Sequence, residues 1–405
     1  MMNQRFRNTL ILTLFALLLS VCSGETTSSP KTPASPAGKH FVNTTEIASD
    51  PDLDAMARIM AGLEPASSAP EAWKTIAASA AFAAHKQQLG ASFSRAEKSR
   101  LSIMKQWSAE ELADVCKEAN DLFYPFSGPD IMTAHAIFPC AKDYIMIGLE
   151  PAGIPPALGN MNEAVRARYF AAVRNSLGSI LNYSFFRTND MRDDFRGVLD
   201  GLTPILMVFL AREGNELVAA RVATMLPDGT ISERDPKKAP SAEERKAEAT
   251  GVPGIRFYFK DVKDGRLKTV TYFSVDISDT GLANRAFFLE TIGRTGTYTT
   301  YLKSASYLMH RDSFSKIRSF ILDNSDHVIQ DDSGMPLAFF PEAKWNRSFY
   351  GMYTQPIPLF ASRYQPDLRA IYKDPVKNGV KKLPFGTGYN FKEGDSHLLV
   401  ARKKK

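Results

Sequence analysis

The segment from Asp121 to Pro156 constrains the fold of this chain more than any other stretch. The aromatic run at 122–126 is typical of a buried strand, and Ser-Gly-Pro-Asp at 127–130 follows it with residues that favour the start of a helix. A short helix to about Phe138 and a second apolar strand at 144–149 complete the pattern. Strand, helix and strand in this order predict a βαβ unit and a parallel pair of strands.

Helical patterns precede this unit, and strand patterns follow it. Residues 46–120 carry cap residues and apolar stripes at helical spacing, and another amphipathic helix is predicted at about 163–181. Strands dominate after that, with a hairpin signal at 263–266. We therefore expect a mixed α/β fold, in which an N-terminal helical layer packs on a βαβ-containing mixed sheet that is more antiparallel in its second half.

Several individual elements are predicted less directly. A helix that starts at Pro70 is expected to stop at Gly90. The apolar run at 204–210 is either a strand or a short core helix, and two helices are expected at about 299–310 and 312–322.

The first 22 residues have the features of a secretory signal peptide. Arg5 and Arg7 precede an apolar stretch from Leu10 to Val21, which is too short to span a membrane. Cys22 follows, as in a bacterial lipobox, although Val21 departs from the small residue usual before that cysteine. Either Cys22 is lipidated and anchors the protein to a membrane, or the signal is cleaved nearby. We expect an exported protein, in the periplasm or anchored to the outer or cytoplasmic membrane.

Residues 23–45 are rich in Ser, Thr and Pro and predict a flexible linker. Residues 46–405 form the folded body, with a possible division into subdomains at 46–200 and 201–405. Loss of the signal peptide lowers the formal net charge from +6 to +4, and the basic tail at 402–405 carries what remains. A nearly neutral body argues against a nucleic-acid partner.

The candidate functional residues lie around the first predicted strand. Ser127, Gly128 and Asp130 are the candidates for an anion site at a helix N-terminus, at the carboxyl end of a parallel strand. The alternative is that Ser127 only caps the helix. Ser127, Asp130 and His135 are also the candidates for a hydrolytic triad, although His135 is about two helical turns from the cap.

Other polar and aromatic residues have structural explanations. The cluster of Asp323, Asp326, Asp331 and Asp332 does not match a calcium loop and is typical of turns, so no metal or cofactor is predicted. Aromatic clusters, among them the one around Phe185 and the one around Tyr389, either stack on sugars or peptides or belong to the core. Cys116 and Cys140 either form a disulfide in an oxidising compartment or remain free.

Four segments together, FYPFSGPD, GLEP, ILDNS with DDSG, and GYNF with LLVA, resemble an uncharacterised group of bacterial exported proteins. This resemblance implies no activity and no catalytic residues. The expected function is therefore that of a cell-envelope protein, a lipoprotein or periplasmic protein, with a binding or scaffolding role. The alternative is an exported serine-type hydrolase centred on Ser127.

Overall fold

A ten-stranded mixed sheet forms the centre of the protein in the computed structural model, which describes residues 47–118, 121–186, 198–392 and 394–405. The predicted signal peptide at 1–22, with Cys22, and the whole predicted linker at 23–45 lie outside the described residues. The strands in chain order are β1 Asp121–Tyr124, β2 Asp143–Gly148, β3 Glu216–Met225, β4 Ile231–Arg234, β5 Val252–Lys260, β6 Leu267–Ser274, β7 Tyr298–Leu302, β8 Ser325–Gln330, β9 Trp345–Gly351 and β10 His397–Lys403.

The middle of the sheet is parallel, and its two sides are antiparallel. Across the sheet the strands are ordered β4-β3-β5-β6-β2-β1-β7-β8-β10-β9. The pairs from β6 to β8 are parallel, whereas β3, β4 and β5 on one side and β9 and β10 on the other pair antiparallel. Strands from both predicted parts belong to this one sheet: β1 and β2 from 46–200 lie side by side in its middle, and strands from 201–405 flank them. The mixed α/β fold, with the antiparallel pairs in the second half, is confirmed.

Helices pack on both faces of the sheet. On the first face they are α1 Pro51–Met60, α2 Glu71–Ala77, α3 Ala80–Ala96, α4 Ser102–Glu111, α5 Ala113–Lys117, α6 Ile131–Ile137, α7 Glu163–Tyr183 and α8 Thr203–Arg212. The exposed helix α9 is Ala242–Thr250. On the second face they are α10 Ala286–Gly293, α11 Ser315–Asn324 and α12 Pro366–Lys373.

The alternation of side chains along the central strands explains this layering. In β1, Leu122 and Tyr124 belong to the core beneath the N-terminal helices, while Phe123 belongs to the core of the opposite face. In β2, Tyr144 and Ile145 divide in the same way. Successive strand residues point to opposite faces, so apolar residues at every position require a cover on both sides.

Three local expectations need correction or are now decided. The predicted helix at 299–310 is wrong: β7 occupies Tyr298–Leu302, and a 3-10 helix follows at Ser304–His310. The run at 204–210 is a helix, α8, which is buried on all sides. Gly90 does not end a helix, because α3 continues through it to Ala96. None of the described helices is both long and apolar enough to cross a membrane.

A disulfide joins Cys116, on α5, to Cys140, which follows α6. Their Cα atoms are 5.4 Å apart, within the range that a disulfide requires. The bond closes a loop that contains β1, the connection after it and α6. Closing a loop of this length restricts the unfolded chain and stabilises the fold by about 3 kcal/mol in the chain-entropy model.

Candidate functional site

A crevice opens where the connections after β1 and β7 leave the sheet in opposite directions. After β1 the chain crosses to α6 on the first face, and after β7 it crosses to α11 on the second face. Both connections start at the carboxyl edge of adjacent parallel strands. Open α/β sheets bind ligands at such a switch point, because the diverging connections leave space between them. A cavity of about 730 Å³ lies here.

The floor of the cavity is a buried ion pair. The Lys303 Nζ, immediately after β7, lies 2.5 Å from the Asp130 carboxylate, and both side chains are almost completely buried. The ammonium also donates to the Ser184 carbonyl at 2.8 Å and reaches the Thr133 hydroxyl at 3.4 Å. The Tyr124 hydroxyl donates to the same Asp130 carboxylate at 3.1 Å. All three donors of the ammonium therefore have partners.

Burial and the neighbouring Asp130 carboxylate shift the pKa values of Lys303 and Tyr124. Burial lowers the pKa of Lys303, because desolvation penalises the ammonium, while the attraction of Asp130 opposes this effect. Burial also raises the pKa of Tyr124 well above 10, and the adjacent Asp130 carboxylate raises it further. Tyr124 is therefore a neutral hydrogen-bond donor to the ion pair.

Backbone strain is concentrated around this ion pair. Among the described residues, the non-glycine residues with positive φ are Phe126, Ser184 and Ser304, at 61°, 68° and 61°. Phe126 and Ser304 line the cavity, and the carbonyl of Ser184 binds Lys303. Left-handed conformations of such residues cost about 1–3 kcal/mol each and occur preferentially at functional sites. All three residues therefore lie around the cavity and its Lys303–Asp130 ion pair.

Two of these residues also have hydroxyl groups without partners. The Oγ atoms of Ser184 and Ser304 are buried and have no hydrogen-bond partner among the residues that the structure describes, and Ser304 lines the cavity. A buried polar group that lacks a partner is costly and requires an explanation, such as a bound ligand.

Two adjacent carboxylates, those of Asp331 and Asp332, lie in the turn after β8, and Asp331 contacts the backbone of Ser304. The Asp331 carboxylate accepts the backbone N–H of Ser333 at 3.0 Å and that of Ser304 at 3.4 Å. Burial, reinforced by the charge of Asp332, raises the pKa of Asp331 to about 6. The Tyr307 hydroxyl donates to Asp332. These contacts agree with the turn expected for Asp331 and Asp332, and in the described ranges no group of three or more His, Cys, Asp or Glu side chains is placed to hold a metal ion.

The role expected for Ser127 as a helix cap is wrong. Asp130 caps α6, since its carboxylate accepts the N–H of Thr133 at 3.2 Å. The Ser127 hydroxyl instead accepts the N–H of Ile147 at 3.1 Å, and its proton faces the carbonyls of Ile147 and Gly128. Ser127 therefore fastens the connection after β1 to β2. The chain is left-handed at Phe126, and Ser127 then lies beside β2 and not at the start of α6.

The three residues of the hypothetical triad are not assembled. His135 is buried on α6, where its ring nitrogens lie 3.4 Å from the Glu213 carboxylate and 3.3 Å from that of Asp261. Burial lowers the pKa of His135, but hydrogen bonds to these two carboxylates outweigh it, so the pKa is raised overall. The hydrogen bonds of the Ser127 hydroxyl go to backbone atoms. Ser127, Gly128 and Asp130 all line the cavity, but α6 has only seven residues and its first turn is already capped by Asp130.

Sequence reasoning missed Lys303, Ser304 and Ser184. The run Tyr-Thr-Thr-Tyr-Leu at 298–302 is rich in β-branched and aromatic residues and would have indicated a strand. The polar Lys-Ser that follows such a strand would then have fallen at the carboxyl edge of the sheet. Nothing in the local sequence around Ser184 indicates its role.

Comparisons with protein-family models, with curated proteins and with solved structures found no match to this chain. The site is therefore interpreted from its own geometry.

The contacts of Ser127 generate a stability prediction. Ser127→Ala removes the acceptor of the buried Ile147 N–H, so we expect the free energy of unfolding to fall by about 1–3 kcal/mol. Ser127→Thr, which keeps the hydroxyl, should lose less. Chemical denaturation of the three proteins measures this effect. Covalent labelling of Ser127 by a serine-directed phosphonate, with unchanged stability of the Ala variant, would contradict the structural role.

Proposed function

We propose that this protein is an exported cell-envelope protein that binds a small organic ligand in the cavity between the ends of β1, β2 and β7. The observation that carries the proposal is the convergence of strain and unsatisfied polarity on one cavity. Phe126 and Ser304 adopt left-handed conformations in its lining, and the buried hydroxyl of Ser304 has no partner in the described part of the chain. A fold tolerates several such costs in one place when the site has a function.

The lining of the cavity fits a small molecule. Aromatic side chains form much of its wall: Tyr124, Phe126, Phe185, Phe186 and Tyr389. A few polar groups, among them Ser304 and Glu150, interrupt this apolar surface. Concave, mostly apolar sites with a small number of polar groups are typical of ligand pockets, and about 730 Å³ lies within their usual range.

Export is supported by two independent features. Arg5 and Arg7 precede the apolar stretch that ends before Cys22, in the order of a secretory signal. The folded body contains the disulfide Cys116–Cys140, and such bonds persist mainly in oxidising compartments. A lipid on Cys22 would hold the folded body at a membrane surface through the linker at 23–45.

The alternative, an exported serine hydrolase centred on Ser127, has less support. The Ser127 hydroxyl is engaged with Ile147, and His135 is engaged with Glu213 and Asp261. A serine nucleophile needs a base within hydrogen-bond reach, and the described residues that bond to the Ser127 hydroxyl offer only backbone atoms. We therefore favour binding over hydrolysis.

The anchor can be tested by cell fractionation. In a host with lipoprotein processing, we expect the wild type in the membrane fraction and Cys22→Ser in the soluble envelope or the medium, because a lipid chain is the only membrane contact proposed. Ser28→Ala, a change in the predicted linker, is a control that keeps both Cys22 and the disulfide. An intact Met1 in the mature protein, shown by mass spectrometry, would contradict export.

Binding in the cavity can be tested by blocking it. Ala305 lines the cavity but is exposed, so Ala305→Trp should fill space there without a change in the unliganded melting temperature. Ala91→Trp, on the exposed surface of α3, is the matched control. In a thermal-shift screen of small organic compounds, ligands of the cavity should stabilise the wild type and the control by about 3 kcal/mol at a hundredfold excess over Kd.

The blocked variant separates specific from unspecific effects. Compounds that bind the cavity should leave the melting temperature of Ala305→Trp unchanged. Equal stabilisation of all three proteins by every active compound would contradict a ligand site at this place.

A further inference from the structure

We propose that the ligand is a small organic cation, an amine with an apolar or aromatic body. This inference rests on the proposed binding function and adds the chemical class of the ligand. It is carried by the charges, the aromatic side chains and the unsatisfied hydroxyl of the same cavity.

The acidic groups of the cavity outnumber the basic ones. Asp130, Glu150, Asp200 and Lys303 are the charged residues that line it. Lys303 and Asp130 neutralise each other at the floor. Within the described ranges, no basic side chain forms an ion pair with Glu150 or Asp200, so these two carboxylates determine the charge that a ligand meets.

The backbone holds these two carboxylates at one wall of the cavity. The segment after β2 and the segment before α8 are joined by hydrogen bonds from Leu202 N to the Pro151 carbonyl, at 3.1 Å, and from Thr203 N to the Ala152 carbonyl, at 2.9 Å. Gly201 has a positive φ of 77°, and a Cβ there would lie 2.5 Å from the Pro151 carbonyl oxygen. Only glycine permits this approach. Two acidic residues, Glu150 and Asp200, thus lie on adjoining segments of the cavity lining, which favours a cation there.

The aromatic wall favours the same class of ligand. Phe126, Phe185, Phe186 and Tyr389 are only partly buried, so their rings remain accessible from the cavity. Phe185 and Tyr389 meet at 4.8 Å in an edge-to-face arrangement, which fixes their relative orientation. Aromatic faces attract ammonium groups through their quadrupoles, while the apolar part of an organic cation packs against them.

The unpartnered hydroxyl is the third and independent feature. Only 7% of the Ser304 surface is exposed, and its Oγ has no hydrogen-bond partner among the described residues. This oxygen is itself buried, so a turn of the side chain toward the cavity would add it as an acceptor. The Glu150 and Asp200 carboxylates are not buried and can accept directly from an ammonium N–H. A protonated amine, which only donates, matches these acceptors.

Three probes of nearly the same shape test the inference: phenethylamine, the uncharged phenethyl alcohol and the anionic phenylpropionate. At neutral pH we expect calorimetry or ligand-detected NMR to show phenethylamine binding at least about tenfold more tightly than the alcohol, and no binding of the anion. Glu150→Gln with Asp200→Asn should abolish the preference for the amine while leaving the melting temperature unchanged. Glu243→Gln, an exposed acid on α9, is the control and should bind as the wild type does.

The other outcomes distinguish this inference from the function on which it rests. Equal binding of the amine and the alcohol, blocked by Ala305→Trp, would overturn the cationic ligand and retain the binding function. Tighter binding of the anion, or no binding of the amine, would also overturn it. Retention of the preference in the Glu150→Gln, Asp200→Asn variant would show that these carboxylates do not select the charge.

Discussion

The buried ion pair between Lys303 and Asp130 is the interaction on which the arrangement of the site depends. It joins the residue after β7 to the residue before α6. The connections that follow β1 and β7 leave the sheet on opposite faces, so the ion pair links the two connections at their starts. Without a partner, a buried ammonium or carboxylate would lose its hydration and gain nothing in return. Tyr124, Thr133 and the Ser184 carbonyl complete the shell of the pair, so one ionic contact determines the position of four segments of the chain.

Two further constraints act on the same connection. The disulfide Cys116–Cys140 closes the loop that contains β1 and α6, and the Ser127 hydroxyl fastens the connection to β2. The turn at Phe126 can then keep its left-handed conformation, because its neighbours are fixed on both sides. A rigid connection of this kind suits a preformed cavity, in which binding does not have to order the protein.

The central βαβ unit was predictable because its local signals agree. Aromatic strand, turn residues, short helix and apolar strand all indicate the same structure between 121 and 148, and the parallel pairing of β1 with β2 follows from it. β7 was predicted wrongly as part of a helix, although its own β-branched and aromatic residues favour a strand. The polar Lys-Ser after Leu302 continues into an apolar run with helical spacing, and the strand is decided by its neighbours β1 and β8.

The site was predictable only in part. Ser127, Gly128 and Asp130 do line the cavity, but the sequence offers two cap residues within four positions, and only the turn at Phe126 decides between them. Lys303 lies 173 residues from Asp130 in the chain, so no local pattern could connect the two. Glu150 and Asp200 could not be connected from the sequence for the same reason. Backbone contacts between distant segments bring them to one wall of the cavity.

A double-mutant cycle on the ion pair tests this account most directly. Lys303→Met and Asp130→Asn, which keeps a capping side chain, should each lower the free energy of unfolding by about 3–5 kcal/mol, because each leaves a buried charge unpaired. The double variant should lose at least about 1 kcal/mol less than the sum. The exposed pair Lys86–Glu64, at 2.6 Å, should show a coupling below about 1 kcal/mol in the same cycle. Near-neutral single variants, or strictly additive losses at Lys303 and Asp130, would contradict the central role of the pair.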